Sequence, residues 1–491
     1  MSLISQNNGG LVGAPGKKTA KGRPVPPSPA ASGNEVSFQA ADGSELRAGL
    51  GRLTAHTAVF DAGHLATTLR ASEVLNNFKI FTGNRVIYFG RAVVSNVMQT
   101  DASLLCEAKL VNLGSETAFF LPSTESPANL EEAYKSFFQN WQSNYHLSDE
   151  FKVLVIDVQS YLTGVRHWLE GLEFGIKSQS DQPAQERAIL DAAAPRVIEA
   201  FNRRHERFEE IIYALPPESR MAHQDFVRQH WQKLFLGSPF GHRTFHKPNG
   251  YAGDYEMMDM IHRNQPEGNS LFDKLIHLLL VSQWPALSVR NRIAHLRENI
   301  INETARMARS ERFARILNVG CGPAREVQDF LKETHLSDSA EFTLMDFNRE
   351  TLAYAGEKLA EIKRQHSRRT PVETRQVSVF ELIRQSRLGG EKEKFDVIYC
   401  AGLFDYLAPD TCRALMDLWY DSLLPGGLML IANMNDTRPF RNFIEFVLDW
   451  QLLYRDSREF LSLVPDRCRD ATRIIAEPTS VNLFLHIRKP D

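Results

Sequence analysis

At 491 residues the chain is too long for one hydrophobic core, and it is expected to divide into about three domains. Its 43% hydrophobic and 24% charged residues exclude a fibrous or wholly disordered class. A net charge of −3 excludes a general attraction to nucleic acid or to an anionic membrane, leaving only local basic patches for such contacts.

Residues 1–35 are rich in Gly, Pro, Ser, Ala and Lys, with Pro24, Pro26, Pro27 and Pro29 close together. Such a segment cannot bury enough apolar surface to offset its ordering entropy, and disorder is expected. Residues 36–125 change character. Runs such as 85–94 and 103–111 are β-branched or alternating and are separated by Gly and Asn/Asp breaks, which predicts a small antiparallel barrel or sheet.

Residues 126–300 turn to helical periodicity. Phe151, Val155, Val158, Leu162, Val165, Leu169 and Leu172 alternate steps of four and three, the stripe of a bundle helix. Leu190, Val197, Ala200, Phe208, Ile212 and Leu215 predict a second long helix, stopped at Pro216 and Pro217. Further helices are expected over 221–236 and 271–283, and from Pro285 toward Arg309. One stretch, 242–256, does not read as packing, because it is polar, aromatic and glycine-bearing. Gly250 and Gly253 would let a backbone approach a ligand, and Tyr251, Asp254 and Tyr255 could hydrogen-bond it. His242 and His246 stand four apart with no convincing third ligand, so no metal site is expected.

In the last part, residues 301–491, an apolar run from Arg315 through Asn318 and Val319 ends in Gly320, Cys321 and Gly322. A helical run opens just after Pro323 and Ala324. Strand, tight glycine turn and helix N-terminus form the geometry that brings a backbone against a nucleotide-type ligand. A second apolar run, 342–345, ends in Asp346, an acid placed to accept hydrogen bonds from both ribose hydroxyls. A third strand is expected over 374–379 and a fourth over 395–402, opening toward Asp405 and Tyr406. Pro425, Gly426 and Gly427 then turn into a fifth strand. A helix is expected over 440–455, followed by a closing antiparallel pair at 473–476 and 481–487.

This ordered set resembles the class I S-adenosylmethionine-dependent methyltransferases over roughly residues 300–491. The resemblance implies a Rossmann-like α/β domain with S-adenosylmethionine as cofactor. Gly320, Cys321 and Gly322 would face its methionine part, Asp346 and Phe347 its ribose, and Ser378 and Val379 its adenine, with Ala401 and Gly402 ending the fourth strand beside it. Asn318 stands where many of these enzymes carry an acid, and Ala324 replaces a third glycine; the asparagine could still hydrogen-bond the methionine amino group. Residues 247–256, the long helical domain and Glu445, Asp449, Trp450, Tyr454 and Arg455 narrow the likeness. Over roughly 130–491 they resemble the bacterial 3-hydroxypalmitic acid methyl ester biosynthesis proteins, which implies methyl transfer to a fatty-acid carboxylate to give a methyl ester signal.

A carboxylic acid ordinarily titrates near about 4, so at neutral pH such an acceptor is already ionised and needs an anchor rather than a base. Arg455 with Tyr454 or Tyr251 is the expected anchor. A hydroxyl or amine acceptor would need a base, for which Asp254, Asp405, Glu445 and His246 are candidates, and both cases stay open. So does a non-catalytic regulatory protein. The layout of residues 36–120 resembles a PilZ domain, the bacterial cyclic di-GMP receptor. However, Arg47 and Arg52 are one residue too far apart for its arginine pair, and Cys106 stands where glycine should follow Asp101-Ala102-Ser103. These departures argue against cyclic di-GMP binding and for a scaffolding barrel.

The five cysteines, Cys106, Cys321, Cys400, Cys412 and Cys468, are scattered and form no CxxC pair, which fits a reducing cytoplasm. No basic-then-apolar leader opens the chain, and no apolar stretch approaches the roughly 18–20 residues of a membrane span. The expectation is a cytoplasmic, multidomain enzyme (β-barrel, helical bundle and α/β domain) acting on a small molecule, with no nucleic-acid partner and no stable membrane insertion.

Overall fold

A computed structural model describes residues 34–39, 45–53, 57–63, 69–83, 85–99, 104–111, 135, 147–177, 181–216, 219–387, 393–437 and 440–491. The proline-rich stretch and the Asp101 and Ser103 of the PilZ-like comparison lie outside the described residues.

Six strands form the N-terminal unit: β1 (Asn34–Gln39), β2 (Glu45–Leu53), β3 (Thr57–Asp61), β4 (Val74–Thr82), β5 (Arg85–Gln99) and β6 (Leu104–Val111). They pair antiparallel in the order β1-β2-β3-β6-β5-β4, and β4 closes on β1 to make a barrel. Closure removes the free edges that would otherwise template aggregation. Inward-facing Val36, Phe38, Phe60, Phe78, Ile80 and Tyr88 fill the interior, and the rings of Phe38, Phe60 and Phe78 stand 5.5 to 6.1 Å apart.

The helical region contains the long helices Asp149–Ile176 and Gln182–Tyr213, followed by Arg220–Phe235, Leu271–Val281 and Trp284–Ala308. Ser148 starts the first by accepting from the Phe151 backbone N–H, satisfying one of the orphan donors of a helix N-terminus. Its stripe of Phe151, Val155, Val158 and Leu162 packs in one cluster with Phe208, Trp231 and Phe235. That cluster continues into Phe440, Phe443, Phe446 and Val447 from the far end of the chain, so helical and α/β parts share one core. Glu209 reinforces the join. It accepts from the backbone N–H groups of Asn442 and Phe443 at 3.2 and 3.0 Å, capping a short helix from another part of the chain.

Two helix boundaries differ from the sequence expectation. His242 to His246 are helical rather than loop, because Ser238 caps and Pro239 opens the helix Pro239–His246. The irregular stretch shrinks to residues 247–254, between a left-handed Lys247 (φ 48°) and the Asp254 cap of helix Tyr255–Arg263. Near the C-terminus the expected helix covers only Arg441–Val447, and Asp449 at φ 53° turns the chain into an irregular segment.

The α/β unit is a mixed sheet of seven strands: β7 (Ala314–Val319), β8 (Ala340–Asp346), β9 (Val372–Gln376), β10 (Phe395–Ala401), β11 (Leu423–Met434), β12 (Thr472–Ala476) and β13 (Asn482–Arg488). The order is β12-β13-β11-β10-β7-β8-β9, with β13 antiparallel to both neighbours and the pairs from β11 to β9 parallel. The third strand ends at Gln376, earlier than expected, and Val379 instead opens the helix Val379–Arg387. Between β7 and β10 the strand order reverses, and a ligand crevice belongs at the carboxyl ends of the strands there. No helix among the described residues is long and apolar enough to cross a membrane.

Candidate active site

The crevice begins at the turn after β7. Gly320 and Gly322 take φ of 70° and 53°, left-handed values that a side chain resists. The Gly320 and Cys321 N–H groups both donate to the Met345 carbonyl, at 2.8 and 3.0 Å, which ties the turn to the end of β8. Ala324 also sits at φ 51°, a conformation that costs alanine roughly 1–2 kcal/mol more than glycine. Asp346, at the tip of β8, accepts from Asn348 N at 2.9 Å and Gly322 N at 3.3 Å, one bond to each oxygen. Each oxygen keeps a further lone pair. Burial raises the Asp346 carboxyl, and these backbone bonds work against that rise.

Opposite the glycine turn lies a buried acid that the sequence pattern did not single out. Glu326, in the first turn of helix Arg325–Glu333, accepts from Asn318 Nδ2 at 2.9 Å and from the Tyr399 hydroxyl at 2.7 Å. Burial pushes its carboxyl up to about 7, against the pull of the Tyr399 bond. The Asn318 amide is therefore engaged within the protein, and the carboxylate facing the cleft is supplied by Glu326.

From this end the cavity, about 1760 Å³ with its mouth included, runs between the sheet and the helical region. Its lining includes the apolar side chains of Phe240, Leu280, Val289, Phe443 and Ile444. At the junction stands Arg292, buried, on helix Trp284–Ala308. Among the described residues it makes no ion pair, and its Nε has no hydrogen-bond partner. Burial lowers its pKa, with the Asp405 carboxylate the largest opposing influence. Gly402 gives it room: a Cβ at this position would lie 3.1 Å from both terminal guanidinium nitrogens. Asp405 and Tyr406 line the same junction; Asp405 accepts from Met434 N at 2.6 Å, and the Tyr406 hydroxyl accepts from Trp450 Nε1 at 2.8 Å.

Residues 317–429 match the family model described as a methyltransferase domain. The chain carries a methyltransferase domain. No curated protein matches it. Among solved structures it is similar to a possible exported protein from Bordetella parapertussis, with 15% identity over 61% of this chain and 97% of that one, TM-score 0.41. It is also similar to the magnesium protoporphyrin IX methyltransferase of Synechocystis PCC 6803 with bound S-adenosylhomocysteine, with 8% identity over 54% and 99%, TM-score 0.32. A third is the N-methyltransferase NodS of Bradyrhizobium japonicum WM9 in complex with S-adenosylhomocysteine, with 14% identity over 40% and 87%, TM-score 0.26.

The residues present fit the methyltransferase's cofactor. A turn with glycine at its two left-handed positions, a strand-tip acid with spare lone pairs and a second buried carboxylate suit the methionine part, the ribose diol and the ammonium of S-adenosylmethionine, respectively. Asn318, Gly320, Cys321, Gly322, Asp346, Phe347, Val379, Ala401, Gly402 and Tyr251 all line the cleft. The Tyr251 ring stands 5.1 Å from that of Phe347, and its phenol is pushed up by burial and then by the Asp346 charge.

Ser378, Asp254, Arg455 and Tyr454, read from the sequence as site residues, do not line the cleft. Ser378 is engaged with Glu381 N at 3.2 Å at the start of its helix. Asp254 caps helix Tyr255–Arg263 and holds Arg243 at 2.8 Å. The Arg455 guanidinium is buried against the carbonyls of Phe404 and Leu407 and the Asn433 side chain. Tyr454 lines a separate cavity beside the barrel, where Arg441 stacks on its ring at 4.4 Å. Of the candidate bases, Asp405 alone reaches the cleft; Glu445 is paired with Arg441 and Arg220.

Two residues were missed, one with a readable signal. Arg292 interrupts the stripe Val289, Leu296, Ile300, and a charge between apolar positions of a buried face marks either a buried polar contact or a site. Glu326 reads as an ordinary acid in a helix's first turn, and only its burial distinguishes it.

Proposed function

We propose that this methyltransferase transfers a methyl group to the carboxylate of a long-chain, hydroxylated fatty acid and releases the methyl ester. The observation that carries the reading is a single cleft whose lining combines the glycine turn, many apolar side chains and a buried arginine with no ion pair among the described residues. A buried guanidinium outside any ion pair is costly, the nearby Asp405 charge offsets part of that cost, and an acceptor carboxylate would offset more of it. The apolar walls would take the alkyl chain at about 0.8 kcal/mol per buried CH₂.

When bound, S-adenosylmethionine supplies an electrophilic methyl group on its sulfonium. The chain's own residues hold and orient. Arg292 replaces Arg455 as the anchor, gripping one carboxylate oxygen and leaving the other free to attack in line. Tyr406 and Trp450 close the junction, and the surrounding apolar side chains keep water out. No general base is required, because the acceptor is ionised. A hydroxyl or amine acceptor is the second reading, with Asp405 as its base. Asp405 is raised by burial, but one of its oxygens is already held by Met434 N and the strongest cationic influence on it is Arg292.

The test is product analysis by mass spectrometry with 3-hydroxylated and plain fatty acids of graded length, short acids and primary amines. Methyl esters that form faster with longer chains are expected. Ile444→Trp, which adds bulk to the apolar lining, is expected to shift the preference to shorter acids. Methylation of amines with no ester from any acid would reject the reading.

A further inference from the structure

The barrel contributes to the cofactor cleft. Its segment between β3 and β4 brings Arg70 and Ala71 into the lining, beside Asp346, Phe347 and Tyr251. The Arg70 guanidinium carbon lies 3.9 Å from the centre of the Phe347 ring. Its Nε is buried and has no hydrogen-bond partner.

The segment is held from several sides. Arg70 N donates to Glu73 Oε2 at 2.9 Å. The buried Ser72 hydroxyl donates to the Gln451 carbonyl at 2.7 Å and accepts from Gln451 N at 2.6 Å. Val74 N donates to the Gly250 carbonyl at 2.9 Å, one residue before Tyr251 of the same cleft. Ser72 sits at φ 63°, a conformation that costs a non-glycine residue energy and persists only where the surroundings over-determine it.

We propose that Arg70 is a cofactor-contact residue supplied by the N-terminal barrel, and that residues 69–73 wall the nucleoside end of the cleft. The chemistry fits that end. A guanidinium is planar, stacks on rings and presents N–H donors to the oxygens and ring nitrogens of a nucleoside. Asp346, Phe347 and Val379 mark the same end from the sheet side. Cofactor binding and barrel docking are then linked, each strengthening the other. The proposal is independent of the acceptor's identity.

It is tested on the full chain by calorimetric titration with S-adenosylmethionine and with S-adenosylhomocysteine. Arg70→Ala is expected to raise both dissociation constants by about tenfold, the scale of one desolvated cation–π contact with a hydrogen bond. Arg70→Lys should recover part of the loss, and the ligand-free unfolding temperature should barely move. Hydrogen exchange of the wild type is the second measurement, with S-adenosylhomocysteine expected to slow the amides of residues 69–74. Unchanged dissociation constants in Arg70→Ala, even with a lower unfolding temperature, would overturn the proposal. So would exchange in residues 69–74 that does not respond to S-adenosylhomocysteine.

Discussion

Asn318 donates its side-chain amide to the Glu326 carboxylate across 2.9 Å, inside the cofactor cleft and out of reach of solvent. An acid absent from the end of β7 is thereby replaced from the helix that follows. The Tyr399 hydroxyl completes the grip from β10. Glu326→Gln keeps the shape and removes the charge. It should weaken S-adenosylmethionine binding about tenfold or more, since bonds to charged groups contribute roughly 1.5–3 kcal/mol. Calorimetric titration of the variant checks this.

The same carboxyl predicts a pH dependence. In the ligand-free protein burial pushes it up to about 7, and a cofactor ammonium favours the ionised form. Cofactor affinity should therefore rise as pH increases from about 6 toward about 7.5, with a proton released on binding below the midpoint. Stability has the opposite sign. The folded chain keeps a proton that the unfolded chain loses above its ordinary value near 4.5, so the ligand-free protein should lose stability between there and about 7. Glu326→Gln should flatten both profiles. A wild-type affinity that does not change across this window would exclude Glu326 from the ammonium site.

Asp346 tests the other end of the cofactor. Its oxygens each accept one backbone N–H, which fixes the carboxylate and leaves a further lone pair on each. Asp346→Ala should raise the dissociation constant of S-adenosylmethionine by more than about tenfold, and Asp346→Asn by less, as expected for losing bonds to a charged acceptor. Equal affinity in the alanine variant would remove Asp346 from the cofactor site.

The turn after β7 and the end of β8 at Asp346 were legible in sequence, the turn because few residues besides glycine take left-handed φ. The barrel and the helical stripes were legible from their periods of about two and 3.6. The placement of Tyr454 and Arg455 was not. Tyr454 and Arg455 are polar residues in an aromatic stretch, which in sequence reads as a site. The fold instead turns the chain at Asp449 and commits the arginine to main-chain carbonyls. Arg292 and Arg70 come from a helix and a barrel far from β7 in sequence, and only tertiary packing brings them to the cleft.

Arg292 separates anchoring from cofactor binding. Arg292→Met keeps the apolar stem and removes the charge, so ester formation should fall by about a hundredfold, near the roughly 3 kcal/mol of a buried charge-assisted bond. The S-adenosylmethionine dissociation constant should change little. Gly402→Ala should reproduce the loss in part, because the added methyl would stand 3.1 Å from both terminal guanidinium nitrogens at a φ of 89° that alanine also resists. Steady-state kinetics on a fatty acid, with cofactor titration in parallel, distinguishes this from a general defect. A loss of cofactor affinity equal to the loss of rate would assign Arg292 to the cofactor instead.

Arg455 should behave in the opposite way. Its guanidinium satisfies the carbonyls of Phe404 and Leu407 and the Asn433 side chain, and those acceptors sit at the turn that carries Asp405 and at the end of β11. Arg455→Ala leaves these buried acceptors without their donor and opens a cavity. A loss of roughly 3–5 kcal/mol is therefore expected in urea unfolding, the range for breaking a buried charged group away from its partners. Protein that remains folded should still bind S-adenosylmethionine with near wild-type affinity, because Arg455 does not line the cofactor cleft. If Arg455→Ala instead kept full stability and lost only ester formation, the arginine would have to reach the acceptor after all, and the anchor role would return to it from Arg292.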